Sequence, residues 1–286
     1  MSLKEKTITT RFKGHFKERM EDKIFVGDKR LGIIDGASSS TDLNDYPHSG
    51  EFTADILHNA FHLENLKLSE VFETASTMAQ AKYQSLTGNT LENVPKQLRS
   101  SSSFVLAEID IAKNLLIYVQ SGDCMLFIQY NDGSIKQVTK DSFEEFEKMH
   151  VNSLYEKLPE NYTIDDFKTA QENTKKLISK NKEYMNTLGG YSAFDGSNTA
   201  YNYFDKGMIS LENVSQILLL TDGLKSSFND TSDSDWVFSA KKCFGEYVNM
   251  VCYKHILHNK ELEDELCSKG KRFKVSDDKA GILYSI

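Results

Sequence analysis

The stretch Ile217-Leu218-Leu219-Leu220-Thr221-Asp222-Gly223-Leu224 gives the strongest indication of the fold. Four successive aliphatic residues form a run of strand length that normally lies in a protein interior. Asp222 follows this run, so its carboxylate is expected at the edge of the core. The glycine after it lets the backbone come close to an ion. The stretch therefore predicts a buried strand that leads into an acidic turn.

The same combination of a strand and an aspartate occurs at three further places. Two aspartates follow predicted strands, in Ile33-Ile34-Asp35-Gly36 and in Ser121-Gly122-Asp123, and the pair Asp277-Asp278 precedes the last strand. A further acidic pair, Glu21-Asp22, stands before an early strand. One Asp-Gly pair is commonly a simple surface turn, but several such corners in one chain favour a shared site. Because Mg²⁺ and Mn²⁺ prefer carboxylate and carbonyl oxygens, the corners indicate a divalent-metal site.

The composition argues against several classes of protein. The 286 residues include 42 acidic and 34 basic ones, a formal net charge of −8, which does not suit a nucleic-acid partner. The four cysteines have no CxxC spacing and indicate reduced thiols. The N-terminus lacks the apolar segment of a signal peptide, and no apolar run is long enough to span a bilayer. We therefore expect a cytoplasmic protein with no membrane partner.

Clusters of strands alternate with helices along the chain. Strands are predicted at residues 23–26, 31–34, 103–109, 115–119, 125–130, 135–138 and 280–286. Asn131-Asp132-Gly133 is a strong tight-turn sequence, and the three strands between 115 and 138 are predicted to form an antiparallel meander. Helices are predicted, with Ser69 as an N-cap, at residues 49–66, 69–86, 141–185 and 233–266. This arrangement favours a mixed α+β domain over a doubly wound parallel sheet.

The order and spacing of these sites resemble those of the type 2C metal-dependent protein phosphatases, the PPM family, over nearly the whole chain. The matching positions are Glu21-Asp22, Asp35-Gly36-Ala37-Ser38-Ser39, Ser101-Ser102-Ser103, Gly122-Asp123-Cys124, Thr139-Lys140-Asp141, Gly189-Gly190, Asp222-Gly223-Leu224 and Asp277-Asp278. The resemblance implies a four-layer α/β/β/α sandwich, in which helices flank two central antiparallel β-sheets. It also implies a single domain over residues 1–286, with a helical flap-like insertion at about residues 141–187.

The resemblance further implies a serine/threonine protein phosphatase that hydrolyses phosphomonoesters with a metal-activated water. Its cofactors would be two Mg²⁺ or Mn²⁺ ions, with a third, weaker ion as in bacterial relatives. Two neighbouring cations lower the pKa of a shared water and neutralise the phosphoryl oxygens. The partner would be a phosphorylated protein, and we expect the enzyme to be a monomer.

The same resemblance assigns the metal ligands. Asp35 would bridge two ions, and the carbonyl of Gly36 would bind one of them. Asp222 and Asp277 would complete the other ion, and Asp123 would join Asp222 at the third. Replacement of Asp35 is therefore expected to be the most damaging single change, since both ions would lose a ligand.

Further residues would act beside the ions. Glu21 and Asp22 would position metal-bound waters, so Asp22 is a candidate catalytic residue together with Asp35. Asp278 stands where the family carries an asparagine and is expected behind the ligands. Arg19 is the preferred candidate for gripping phosphate, because a guanidinium binds two oxygens at once. The alternatives for this role are Lys17 and Arg11.

The largest departure from the family pattern is Ala37, which stands where the family carries a histidine that protonates the leaving alkoxide. A general acid typically contributes about 10²–10⁴-fold, and an aryl oxide needs this help less than a serine alkoxide does. We therefore expect activity to survive best on aryl phosphates. His48 lies downstream and could reach into the site, although a surface position is the commoner one for such a histidine.

Two other functions compete with an active phosphatase. Ala37 and the sequence Gly122-Asp123-Cys124 would suit a catalytically degenerate domain that binds metal or a phosphopeptide as a regulatory module. Retention of Asp35, Asp222 and Asp277 argues against this alternative, because buried carboxylates without a cation repel one another. A metal-dependent nuclease would use similar two-metal chemistry, but the acidic balance of the chain does not suit it.

Overall fold

Strands and helices alternate in clusters through the computed structural model, which describes residues 3–15, 17, 19–37, 49–245 and 249–286. The strands in these ranges are β1 (Thr7–Phe12), β2 (Lys23–Val26), β3 (Arg30–Ala37), β4 (Ser101–Asp110), β5 (Leu115–Ser121), β6 (Met125–Tyr130), β7 (Ile135–Gln137), β8 (Asp205–Ser210), β9 (Val214–Leu220) and β10 (Lys279–Ser285). The α-helices in the same ranges are α1 (Gly50–Phe61), α2 (Leu68–Thr87), α3 (Glu144–Tyr155), α4 (Ile164–Asn181), α5 (Asp235–Phe244) and α6 (Met250–Leu262).

The strands form two antiparallel sheets that are covered by helices on their outer faces. One sheet has the order β1-β10-β9-β6-β7 and the other the order β2-β3-β4-β5-β8. A hydrophobic core with side chains from both sheets lies between them. A second core joins β3 and β4 to α1 and α2, and a third joins β6, β9 and β10 to α5 and α6. The predicted four-layer α/β/β/α sandwich is therefore confirmed.

Strand β9 shows why the run 217–220 carries no polar residue. Ile217 and Leu219 belong to the core between the sheets, whereas Leu218 and Leu220 belong to the core beneath α5 and α6. Alternate side chains of a strand point to opposite faces of the sheet. A central strand that is covered on both faces therefore buries every side chain, and all four of these residues are fully buried.

The predicted meander of three strands is wrong at its first turn. The turn at Asn131-Asp132-Gly133 does join β6 to β7, and Gly133 has the positive φ of 83° that such a turn requires. However, β5 pairs with β4 and β8 in one sheet, while β6 pairs with β7 and β9 in the other. The connection through Gly122 and Asp123 therefore carries the chain from one sheet to the other. Local alternation shows that a strand exists, but it does not select the partner strand.

Several predicted boundaries also differ from the structure. The helix predicted at residues 49–66 ends at Phe61, and the segment 141–185 holds two α-helices rather than one. Thr163 separates them, because its hydroxyl accepts a hydrogen bond from the Asp166 amide at 3.3 Å and caps α4. The predicted N-cap at Ser69 is wrong, since α2 already begins at Leu68.

Strands β1 and β8 are absent from the sequence-based prediction. Both lie at an edge of their sheet, where one side of a strand is unpaired and the side chains are partly exposed. Residues of β8 alternate between half-buried and exposed, without a fully buried position, so the apolar period that would reveal a strand is missing. In the described ranges no helix is both long and apolar enough to cross a membrane.

Candidate active site

The acidic corners of the first half of the chain belong to the sheet β2-β3-β4-β5-β8 and lie at the ends of its strands. Asp35 is on β3, and Asp22 directly precedes β2, whose residue Lys23 pairs with Ile34 of β3. Asp22 and Asp35 are therefore near neighbours across the sheet. Asp123 follows β5, at the point where the chain leaves this sheet for the other one.

The corners of the second half lie at the matching edge of the other sheet. Asp222 follows the end of β9, and the pair Asp277-Asp278 precedes the start of β10. These strands are antiparallel, with Leu220 opposite Gly281, so the end of one lies beside the start of the other. The five acidic corners are thus brought together from distant parts of the sequence.

The hydroxyl of Thr221 joins the two groups of corners. Thr221 Oγ1 donates a hydrogen bond to Asp22 Oδ2 at 2.8 Å and accepts one from the amide of Ala280 at 2.9 Å. This residue therefore fixes the carboxylate of Asp22 against the start of β10. Asp22 is almost completely buried, with 1% of its surface exposed.

Asp278 holds the N-terminal segment at the site. Its two carboxylate oxygens accept hydrogen bonds from the amides of Gly14 at 2.8 Å and Glu21 at 2.7 Å. A Cβ on Gly14 would lie 2.7 Å from the carbonyl carbon of Asp277, so only glycine allows this close approach. Asp278 thus lies behind the other carboxylates and positions backbone.

Gly36 and Glu21 set the position of α1 against the acidic cluster. A Cβ on Gly36 would lie 2.6 Å from the carbonyl oxygen of Gly50, the first residue of α1. Glu21 Oε1 accepts a hydrogen bond from the Gly50 amide at 2.8 Å, which satisfies one of the free amides at the helix start. Glu21 therefore caps this helix as well as lying at the site.

Four carboxylates of the cluster are buried close to one another, which makes their charged forms unfavourable. Burial raises the pKa of Asp22, Asp35, Asp123 and Asp222 above the usual aspartate value, and the other carboxylates of the cluster raise it further. Removal of a carboxylate from water disfavours its charged form, and so does a nearby like charge. These groups gain from any positive charge that can be placed among them.

Asp277 is the exception, because two lysines surround it. Lys17 Nζ lies 2.6 Å from Asp277 Oδ1, and Lys274 Nζ lies 2.5 Å from Asp277 Oδ2. Burial by itself would raise the pKa of Asp277, but Lys274 and Lys17 outweigh it and hold that pKa well below the usual range. The contact of Lys17 with Asp277 differs from the phosphate-binding role that the sequence suggests for this lysine.

The unpartnered oxygens of the cluster test whether a metal ion fits it. One side-chain oxygen each of Asp22, Asp123 and Asp222 is buried and has no hydrogen-bond partner. Such an oxygen costs free energy unless it is compensated, and Mg²⁺ or Mn²⁺ would compensate it through an all-oxygen ligand set. Among the described residues, no three acidic, histidine or cysteine side chains already form a metal-binding group. The donors fit a divalent cation by chemistry, and side chains must move to close around it.

The other residues proposed from sequence lie outside this cluster or outside the described ranges. Arg19 has a side chain that is 75% exposed and pairs with Glu51 at 3.4 Å, so the structure does not bring it to the carboxylates. Arg11 Nε donates to the sulfur of Met20. His48, like Ser38 and Ser39, lies outside the residues that the structure describes.

A cavity of about 120 Å³ adjoins the cluster. Its lining includes Ala37 and Asp123, together with Phe143, Ile178 and Tyr191. Tyr191 packs edge-on against Phe143 at a centroid distance of 4.9 Å. Phe143 and Ile178 were not predicted as site residues, because an apolar residue of a predicted helix gives no sign that it faces a cavity rather than the core.

A buried histidine also borders this cavity. His150 Nε2 is 2.9 Å from the side-chain nitrogen Nδ2 of Asn181, and burial lowers the pKa of His150 to about 4. The ring is therefore neutral at physiological pH and accepts a hydrogen bond through Nε2. This bond ties α3 to the end of α4 beside the site.

Comparison with solved structures identifies the fold. No protein-family model and no curated protein sequence matches the chain. The structure is similar to the Mycobacterium tuberculosis serine/threonine phosphatase PstP/Ppp, with 13% identity, a TM-score of 0.55 and coverage of 98% of this chain and 97% of that one. It is also similar to the PstP catalytic domain in complex with 2 manganese ions, with 14% identity, a TM-score of 0.57 and coverage of 98% and 96%. Stp1 from Staphylococcus aureus is a further similar phosphatase, with 18% identity, a TM-score of 0.54 and coverage of 98% and 94%.

The chain therefore has the fold of the bacterial PPM-type serine/threonine phosphatases, along almost its full length. This agrees with the resemblance seen in the order of the acidic corners. At these low identities the likeness establishes the fold alone, so the chemistry must be argued from the carboxylate cluster itself.

The carboxylate cluster predicts a specific response of stability to metal. In a chelator, Asp35→Asn should raise the melting temperature, because it removes one of several mutually repelling charges. Added Mn²⁺ should stabilise the natural protein by ligand linkage, which raises the free energy of unfolding by about 2.7 kcal/mol at 100 times the dissociation constant. The melting temperature of the natural protein should therefore rise in Mn²⁺, and that of Asp35→Asn should rise much less. Differential scanning fluorimetry measures both effects.

The matched control is Asp132→Asn, which changes an exposed aspartate in the β6–β7 turn. It should respond to Mn²⁺ as the natural protein does. A natural protein whose melting temperature is the same in Mn²⁺ and in chelator would contradict the assignment of the cluster as a metal site.

Proposed function

We propose that this chain is a metal-dependent phosphatase that hydrolyses phosphomonoesters, with phosphorylated serine and threonine of proteins as its substrate class. The observation that carries the proposal is the group of buried aspartates with unpartnered oxygens at the junction of the two sheets. The fold supports it, because similar solved structures are named as serine/threonine phosphatases and one is a complex with manganese ions.

The proposed metal ligands are the carboxylates of Asp35, Asp222 and Asp123, together with the carbonyl of Gly36. When bound there, Mg²⁺ or Mn²⁺ would supply positive charge to the phosphoryl oxygens and lower the pKa of a coordinated water. Asp277 belongs to the same cluster, although both of its oxygens contact lysines. Glu21 would orient water from its position at the start of α1.

Asp22 is proposed as the group that accepts a proton from the attacking water. Its Oδ2 is held by the Thr221 hydroxyl, while Oδ1 has no hydrogen-bond partner and is open to a new one. Burial and the neighbouring carboxylates raise the pKa of Asp22, so this positioned carboxylate takes up a proton more readily than an exposed aspartate does. Burial keeps bulk water away from it.

The domain arrangement expected from sequence fits this chemistry. Both sheets contribute to one shared core, which supports a single catalytic domain over residues 1–286. Phe143 and Ile178, which belong to the insertion that we propose at about residues 141–187, line the cavity beside Asp123. We propose that this segment contacts the part of the substrate that lies next to the phosphoryl group.

The metal dependence of turnover tests the proposed function. Hydrolysis of p-nitrophenyl phosphate should require Mn²⁺ or Mg²⁺ and stop in chelator. Asp35→Asn should lower kcat/KM on the order of 100-fold or more, as loss of an electrostatic stabiliser of the transition state does. Asp132→Asn should leave it unchanged. Turnover that persists in chelator, or in Asp35→Asn, would contradict the proposal.

The leaving group should decide which substrates are hydrolysed well. Ala37 offers no acidic proton, so kcat/KM should be higher for aryl phosphates, including a phosphotyrosine peptide, than for a phosphoserine peptide. Ala37→His should raise turnover of the phosphoserine peptide by roughly 10-fold or more, because a general acid typically contributes about 10²–10⁴-fold, and should change aryl turnover little. Steady-state assays on the matched peptides measure this. Equal gains on both substrates would contradict the role assigned to position 37.

A degenerate binding module is the second candidate function. It is favoured by Ala37 and by the lysines that occupy both oxygens of Asp277. Folded protein that binds Mn²⁺ but hydrolyses neither aryl nor peptide phosphates would establish this alternative in place of the phosphatase.

A further inference from the structure

We propose that the ammonium group of Lys17 takes the place of one divalent cation, so that the acidic cluster binds a single metal ion rather than two. This inference rests on the proposed metal dependence and concerns the half of the cluster around Asp277. The ion would lie in the other half, with Asp35, Asp222 and Asp123. Lys17 is thus a built-in counter-ion of the candidate active site.

Lys17 Nζ has the surroundings of a bound cation. It lies 2.6 Å from Asp277 Oδ1, 3.2 Å from Asp278 Oδ2 and 3.4 Å from Glu21 Oε2. An ammonium group has three hydrogen-bond donors, and here three carboxylates from two distant segments surround it. The side chain of Lys17 is only 19% exposed, so water competes little for these donors.

The chain holds Lys17 in this place through the backbone on either side of it. The amides of Gly14 and Glu21, which flank Lys17 in sequence, both bond to the carboxylate of Asp278. The segment is therefore anchored at both ends on the corner that carries Asp277. An ion that bound Asp277 would have to displace an ammonium group that the fold itself positions.

The distribution of unpartnered oxygens divides the cluster into two halves. Buried oxygens without a partner occur on Asp22, Asp123 and Asp222, and none occurs on Asp277 or Asp278. No ion pair among the described residues includes Asp22, Asp35, Asp123 or Asp222. One half therefore has lysines in direct contact with its carboxylates, whereas the other is attracted by lysines only from a longer distance.

Lys274 is the second lysine at Asp277 and lowers the pKa of Asp277 more than Lys17 does, but it contacts only this one carboxylate among the described residues. Its Nζ also contacts Asp277, at 2.5 Å, but 54% of its side chain is exposed. Exposed ion pairs between flexible side chains contribute little, because solvent screens them and they cost side-chain entropy. Lys274 can leave without exposing a buried charge, and Lys17 cannot.

Counting bound Mn²⁺ tests this inference without any measurement of activity. Electron paramagnetic resonance of free Mn²⁺, titrated into a fixed concentration of protein, should give one tightly bound ion per chain in the natural protein and two in Lys17→Met. Lys17→Arg should keep one ion, since it keeps the charge, and so should Lys274→Met. Lys113→Met is the control, because the side chain of Lys113 is 74% exposed and pairs with Asp110 at 2.8 Å, in a different part of the sheet from the cluster.

The outcomes separate this inference from the proposed function. Two ions in the natural protein, or one ion in both the natural protein and Lys17→Met, would overturn the role of Lys17 and leave metal dependence intact. No ion in any variant would overturn both. The melting temperature supplies a second measurement: Lys17→Met should be less stable than Lys113→Met in chelator and should recover in Mn²⁺. Equal stability of these two variants in chelator would also contradict the inference.

Discussion

Mutual repulsion of buried carboxylates is the constraint on which the rest of the site depends. Asp22, Asp35, Asp123 and Asp222 come from different strand ends, and each loses hydration where the two sheets meet. Such a group is stable only if positive charge or hydrogen bonds compensate it. A fold that keeps these residues together must therefore provide that compensation, from its own side chains or from a bound ion.

The protein compensates the two halves of the cluster unequally. Thr221 satisfies one oxygen of Asp22, and two backbone amides satisfy Asp278. Lys17 and Lys274 neutralise Asp277. The oxygens that remain without a partner lie on the other side of the cluster. This asymmetry makes a cation the natural occupant of one half, and it distinguishes the charge arrangement of this chain from a symmetrical two-ion site.

The buried strands and the acidic corners could be predicted from the sequence because both have local signatures, whereas the four layers were implied by the resemblance in the order of those corners. The run 217–220 is apolar at every position, which is expected of a strand that is covered by helices on one face and by a second sheet on the other. An aspartate that follows such a run is expected at the edge of the core. The choice of partner for β5, the edge strands β1 and β8, and the meeting of Lys17 with Asp277 have no such signature. They depend on contacts between residues far apart in sequence. In the local sequence, Lys17 cannot be distinguished from the other basic residues around it.

The most direct test of the account is to locate the ion by anomalous X-ray diffraction from crystals grown with Mn²⁺. The account predicts an anomalous peak ligated by Asp35 and Asp222, with Lys17 still in contact with Asp277. A map without a peak among these carboxylates, at a Mn²⁺ concentration that stabilises the protein in solution, would contradict the claim that the cluster exists to hold a cation.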